Sequence, residues 1–143
     1  MKPTNVMVNE DMEAKIIDLG QACKIGTIKQ RIQGTPGFMA PEQANREEVN
    51  EKTDVYNFGA TMYWLLTGKE VPTARPESGK NAATLPPPPE SINSEVPKEL
   101  SEIVMRSIQP NPNARINDMN QVLESLRELQ SDLSTNGSPA LKC

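Results

Sequence analysis

The chain has 143 residues, 36% hydrophobic and 24% charged, which suits one modest core or part of a larger domain and excludes a chain disordered throughout. A formal charge of −4 argues against nucleic acid as a main partner, because phosphate binding needs a basic face. Histidine is absent; that removes Ser-His and Cys-His catalysis and the usual zinc sites, leaving carboxylates, amides and lysine for any chemistry.

The chain order begins with NVMVN at residues 5–9, where Val6 and Val8 share a face, and AKIID at 14–18. The turn-forming EDME lies between them, so the two runs predict a β-hairpin. Residues 20–38 carry Gly, Thr, Gln and basic residues with no sustained period, which predicts an exposed loop. Pro41, Glu42 and Gln43 open a short helical turn. From residue 54 to 67 the helical period returns through Val55, Phe58, Met62, Leu65 and Leu66, with Thr53 or Asp54 as N-cap and Gly68 after the end. Tyr56, Ala60, Tyr63 and Trp64 fill its other faces, so this helix is expected to be buried on every side.

Residues 70–95, with prolines at 86–89, predict irregular or polyproline II chain. A helix beginning near Pro97 and stopping before Pro110 places Leu100, Ile103, Val104 and Ile108 on one stripe. Another, capped by Asn117 or Asp118, carries Met119, Val122, Leu123, Leu126, Leu129 and Leu133 at helical spacing. Residues 134–143 read as a flexible polar tail. No apolar run approaches the ~18 residues of a membrane span, and no signal peptide is expected. Cys23 and Cys143 read as reduced thiols in a cytoplasmic chain.

Six motifs occur in a fixed order: KPTN at residues 2–5, the hairpin, DLG at 18–20, GTPGFMAPEQ at 34–43, TDVYNFGATMYWLLTG at 53–68 and NPNARI at 111–116. Together, over residues 2–129, they resemble the C-terminal lobe of eukaryotic-like serine/threonine protein kinases of the bacterial branch. The resemblance implies an α+β fold, mainly α, in which a β-hairpin and helices form a partial C-lobe over residues 1–133. Independently of it, the hairpin brings the short oxygen ligands of Asn5 and Asp18 to one mouth, a pairing that suits Mg²⁺.

By the resemblance, Asp18 and Asn5 hold the Mg²⁺ of ATP, and Lys2 neutralises the transferred phosphoryl group. Thr35 corresponds to the family threonine beside the catalytic base and the protein substrate. Residues 18–42 correspond to the activation segment, with Leu19 replacing the Phe of the DFG motif. Thr27 bears the only hydroxyl between DLG and GTP. Flanked by Lys24, Lys29 and Arg31, it is a candidate phosphorylation site whose phosphate those cations would pair with. Glu42 and Arg115 correspond to the buried ion pair that ties the activation segment to the last helices, and Asp54 to the aspartate that holds the catalytic-loop backbone.

The sequence contains no glycine-rich phosphate loop, no β3 lysine, no C-helix glutamate and no catalytic aspartate base. It is therefore expected to be a truncated C-lobe, without an N-lobe and inactive alone. It should need another polypeptide or self-associate, because part of the apolar 54–67 helix would otherwise meet water. The alternative function is a non-catalytic, pseudokinase-like binding or regulatory module that keeps the C-lobe surface.

Overall fold

The computed structural model describes residues 1–72 and 85–135. Parts of the expected 70–95 irregular stretch and of the 134–143 tail, with Cys143, lie outside the described residues.

The hairpin forms as strands β1, Val6–Val8, and β2, Ala14–Ile16, antiparallel with Val6 opposite Ile16 and Val8 opposite Ala14. Its connection is fixed by Asn9, whose side-chain oxygen accepts from the Glu13 amide at 2.7 Å while its amide group donates to the Glu13 carboxylate at 3.0 Å. Met12 supplies the left-handed residue at φ 62°. The hairpin stays wet: Met7, Val8, Met12, Ile16 and Ile17 are all exposed.

Residues 20–38 are exposed over most of their length, but the loop assignment fails at its end. A 3-10 turn, Pro36–Phe38, buries Gly37 and Phe38. Helix α1 follows as Pro41–Asn45, with the Gln43 side chain accepting from the Ala40 amide at 3.0 Å.

Helix α2 is Glu51–Thr67, and its cap is Asn50 rather than Thr53 or Asp54. The Asn50 side chain accepts from the Lys52 amide at 2.9 Å while the Thr53 hydroxyl accepts from the Asn50 amide at 3.1 Å. Thr53 thus closes the capping box from inside the helix, which moves the start upstream of the first apolar residue. Burial is also not complete around α2. Val55, Tyr56, Ala60 and Tyr63 are buried, whereas Trp64 and Leu65 are 37% and 58% exposed. The described residues pack against only part of its circumference.

Of the 70–95 stretch, Pro89–Ile92 forms a helical turn, α3, started by proline at its first position. Helix α4, Lys98–Ser107, buries the expected stripe of Leu100, Ile103 and Val104, with Ile108 following as its cap. It crosses α2 where Gly59 lies: a Cβ on Gly59 would fall 2.6 Å from Ser107 Cβ and 2.9 Å from Ile108 Cγ2. No side chain larger than hydrogen fits that crossing without displacing α4. Helix α5, Met119–Thr135, is capped by Asp118, whose carboxylate accepts from the amides of Asn120 at 2.8 Å and Gln121 at 3.0 Å. It runs two residues into the expected tail. Val122 and Leu129 are buried, but Met119 and Leu123 are exposed, so the packed stripe is narrower than the apolar periodicity.

Two apolar clusters result. One joins Phe38, Ala40, Tyr56, Ala60, Tyr63 and Val104; the other joins Val55, Leu100, Ile103, Ile116, Val122 and Leu129. Helix α2 contributes to both and is the element on which the rest is arranged.

Candidate active site

The site is assembled by short-range backbone geometry. Pro3–Asn5 forms a 3-10 turn in which the Asn5 amide donates to the Lys2 carbonyl at 3.0 Å. The Asn5 carbonyl accepts from the Ile17 amide at 3.0 Å, extending the β1–β2 ladder to the mouth of the hairpin. The residue after Ile17 is Asp18, and its side chain meets that of Asn5: the Asn5 amide group donates to Asp18 Oδ2 at 3.5 Å. Asp18 Oδ1 accepts from the Gly20 amide at 2.8 Å, which fixes the carboxylate across the DLG turn. The expected convergence of Asn5 and Asp18 is therefore present.

Lys2 is half-buried at the start of the same turn. Among the described residues its ammonium makes no polar contact with Asn5, Asp18 or Thr35. Thr35 is placed elsewhere, as the residue preceding the Pro36–Phe38 turn, where its carbonyl accepts from the Phe38 amide at 3.0 Å. Asp54 is exposed, and its carboxylate makes no hydrogen bond among the described residues. It shares a cleft of about 460 Å³ with Met1, Asp18, Lys29 and Phe58. The Met1 amino group there is held below its ordinary pKa by burial, with Asp54 opposing that shift and Lys2 and Lys29 adding to it.

Glu42 and Arg115 lie 73 residues apart in sequence and form a bidentate pair, Nη1 to Oε1 at 2.7 Å and Nη2 to Oε2 at 2.8 Å. The remaining guanidinium N–H groups donate to the carbonyls of Gln109 at 2.7 Å, Lys52 at 2.9 Å and Pro110 at 3.1 Å. All five N–H donors of the arginine are thereby used. The Arg115 guanidinium also sits 4.9 Å over the Tyr56 ring, a cation–π contact. Burial pushes the Tyr56 hydroxyl up to about 12.

Burial alone would raise the Glu42 carboxyl, but the Arg115 hydrogen bonds and charge outweigh it and hold it below its ordinary value of 4.5. A carboxyl lowered by folding stabilises the protein above its unfolded pKa, and that contribution is lost as pH falls through the folded value. Thermal unfolding between pH 7 and pH 3 should therefore show a fall in Tm beginning near 4.5 and continuing below it. Glu42→Gln should flatten that part of the curve; an unchanged profile in the variant would assign the acid sensitivity to other groups.

Three residues of this region have a tethering role that the sequence analysis did not assign. Asn57, buried in α2, donates to the Phe38 carbonyl at 2.7 Å and to Gln43 Oε1 at 2.9 Å. Thr53 donates to Glu42 Oε1 at 2.8 Å. Asn57, Gln43 and Thr53 thus fasten the 36–45 segment to α2 from beneath. The available signal was a polar Thr53 and Asn57 interleaved with the apolar Val55, Tyr56 and Phe58.

The sequence profile described as the protein kinase domain matches residues 1–126 of this chain. The chain belongs to the protein kinase family. A probable serine/threonine-protein kinase of Clostridium acetobutylicum is 30% identical over 139 residues, 92% of this chain and 21% of the relative. The serine/threonine-protein kinase PknB of Mycolicibacterium smegmatis is 28% identical, with 93% of this chain and 22% of the relative covered. A dual specificity protein kinase, shkE, of Dictyostelium discoideum is 32% identical, with 98% and 21% covered. The chain spans about a fifth of the length of these relatives. The partial α+β kinase fold expected from the motifs is the fold observed. Among the described residues no helix is long and apolar enough to cross a membrane.

Proposed function

We propose that this chain is the metal- and substrate-side portion of a serine/threonine protein kinase, which transfers phosphoryl from ATP to protein hydroxyls. The observation that carries this reading is the meeting of Asn5 and Asp18 at the hairpin mouth. Asp18 Oδ2 and the Asn5 side-chain oxygen are two hard donors, the number Mg²⁺ commonly takes from protein when phosphates and water complete its shell. The donor set thus fits Mg²⁺, provided the Asn5 amide turns its oxygen toward the ion. Mg²⁺ held by Asn5 and Asp18 would supply positive charge against the phosphates of ATP.

The other residues take their roles around that pair. Lys2 supplies a positive charge beside the transferred group, Thr35 orders the turn where protein substrate lies, and Asp54 supports the catalytic-loop start electrostatically. Thr27 is the phosphorylation site of the activation segment. Serine/threonine specificity is supported by GTP at residues 34–36 and by the names of the two bacterial relatives. The reading carries a cytoplasmic, ATP-supplied setting with it.

The 143-residue chain by itself does not transfer phosphate, because its sequence supplies neither the ATP clamp nor the aspartate base. A kinase N-lobe, another polypeptide or a second copy covers the hairpin, whose Met7, Val8, Ile16 and Ile17 are all more than half exposed. The test is complementation. The chain is incubated with Mg-ATP and a protein substrate, alone and joined to a kinase segment bearing the glycine-rich loop, the lysine and glutamate pair and the catalytic aspartate. Labelled phosphoserine or phosphothreonine should form only in the joined protein and disappear in Asp18→Asn. Transfer by the chain alone, or transfer indifferent to Asp18, would contradict the reading.

A further inference from the structure

We propose that residues 85–88 form a rigid docking ligand for another protein, one whose groove is a slot between two aromatic side chains that takes the exposed rings of Pro87 and Pro88. This goes beyond the kinase reading, and its test needs no phosphoryl transfer.

The sequence constrains the backbone first. Leu85, Pro86, Pro87 and Pro88 each precede a proline, which drives a residue out of the helical region into extended backbone. The rings of Pro86, Pro87 and Pro88 also hold φ near about −65°. The two restrictions together give a left-handed polyproline II helix with about three residues per turn. Pro88 has φ −64° and ψ 144°, and the peptide bonds of the described residues are trans.

Such a helix has three edges. Pro86 and Pro89, one turn apart, are both buried, so one edge lies against the protein. Leu85 and Pro88 share the second edge and Pro87 lies on the third, and all of these are exposed. The run is clamped in place. The buried Tyr63 of α2 donates its hydroxyl to the Pro87 carbonyl at 3.0 Å. The Ser91 amide, at 2.9 Å, and its hydroxyl, at 2.7 Å, both donate to the Pro88 carbonyl. Just beyond, the Ser101 hydroxyl donates to the Glu90 carboxylate, and the Asn93 side chain to the Leu66 carbonyl at 3.2 Å.

These contacts select the kind of partner. A polyproline helix already held in place loses little conformational freedom on binding. Within residues 85–90 the only P-x-x-P pair is Pro86 with Pro89, and the protein keeps that pair buried. A groove that grips prolines one turn apart therefore finds its edge covered. The Pro87 and Pro88 carbonyls already accept hydrogen bonds, so recognition falls to the rings. Adjacent exposed rings make an apolar ridge, which a slot between two aromatic faces fits without reaching the buried edge. Residues 89–97 carry Glu90 and Glu95 and no Lys or Arg, so a groove that also demands a cation after the prolines finds none.

Titration of the isotopically labelled 143-residue chain with a panel of WW domains, which present an aromatic slot, tests this by NMR. Prolines have no amide hydrogen, so Leu85, Glu90 and Ser91 are the reporters. A WW domain that takes consecutive prolines should shift those amides and leave α5 unmoved. An SH3 domain, which grips the P-x-x-P pair, should leave the three reporters unmoved. Pro88→Ala removes two ring carbons but keeps the carbonyl that Ser91 uses, and should weaken binding about tenfold. Pro87→Ala should do the same, with α2 and α4 signals unchanged in both variants. Failure of every WW domain to bind the chain would overturn the proposal, as would binding that survives both substitutions or shifts centred away from the reporters. Shifts by the SH3 domain equal to those of the WW domain would overturn the assignment of the partner's groove.

Discussion

Arg115→Ala is expected to destabilise the chain by about 3–5 kcal/mol, the cost of breaking one partner out of a buried ion pair. Domains are stable by only about 5–15 kcal/mol in total, so the variant should be largely unfolded or aggregated at room temperature. Truncation strips Glu42 of both guanidinium bonds and leaves a charged carboxylate inside the protein. It also removes the donors to the carbonyls of Gln109, Lys52 and Pro110, which join the α4–α5 connection to the start of α2. The Tyr56 ring loses its cation as well.

Urea unfolding followed by far-UV circular dichroism reads the loss directly. The double replacement Glu42→Gln with Arg115→Met should be much less harmful than Arg115→Ala, because no charge is then left unpaired. Equal destabilisation by both would mean that the loss they share, the guanidinium bonds to the carbonyls of Gln109, Lys52 and Pro110, outweighs the unpaired charge.

The sequence carried the elements whose signals are local. The stripe of Leu100, Ile103, Val104 and Ile108 was visible because α4 buries one face and exposes the other. The hairpin followed from the alternation around Val6 and Val8 and from the turn between the runs. The meeting of Asn5 with Asp18 followed from the hairpin itself, since a two-stranded ladder fixes which residues face each other at its mouth.

What was not visible depends on tertiary partners. The α2 cap at Asn50 lies before the apolar period begins, and only the Asn50–Thr53 exchange of hydrogen bonds reveals it. The roles of Asn57 and Gln43 depend on where the Phe38 carbonyl comes to rest, which no periodicity encodes. Burial of α2 on every side was expected because apolar residues occupy every face; Trp64 and Leu65 are nonetheless exposed. Apolar periodicity reports which surfaces need covering, not which residues in the same chain cover them. For Thr27 the sequence supplied neighbouring cations, but the bond from its hydroxyl to the Lys24 carbonyl and the commitment of Lys29 to Gln21 are visible only in three dimensions.

The claim that Asn5 and Asp18 form the metal-holding half of a kinase site makes the other large prediction. Mn²⁺, which takes hard oxygen ligands as Mg²⁺ does, broadens the NMR signals of nearby nuclei even when binding is weak. Titrated with an ATP analogue into the isotopically labelled chain, it should broaden the amide signals of Asn5, Ile17, Asp18 and Gly20 first. Asp18→Asn removes the only carboxylate of the pair, so the localised broadening should vanish in that variant while the remaining spectrum, including α2 and α4, stays unchanged. Excess Mg²⁺ should reverse the broadening by competition. Broadening centred instead on the acidic residues Glu47, Glu48 and Glu51, or persisting undiminished in Asp18→Asn, would contradict the assignment of the hairpin mouth as the metal site.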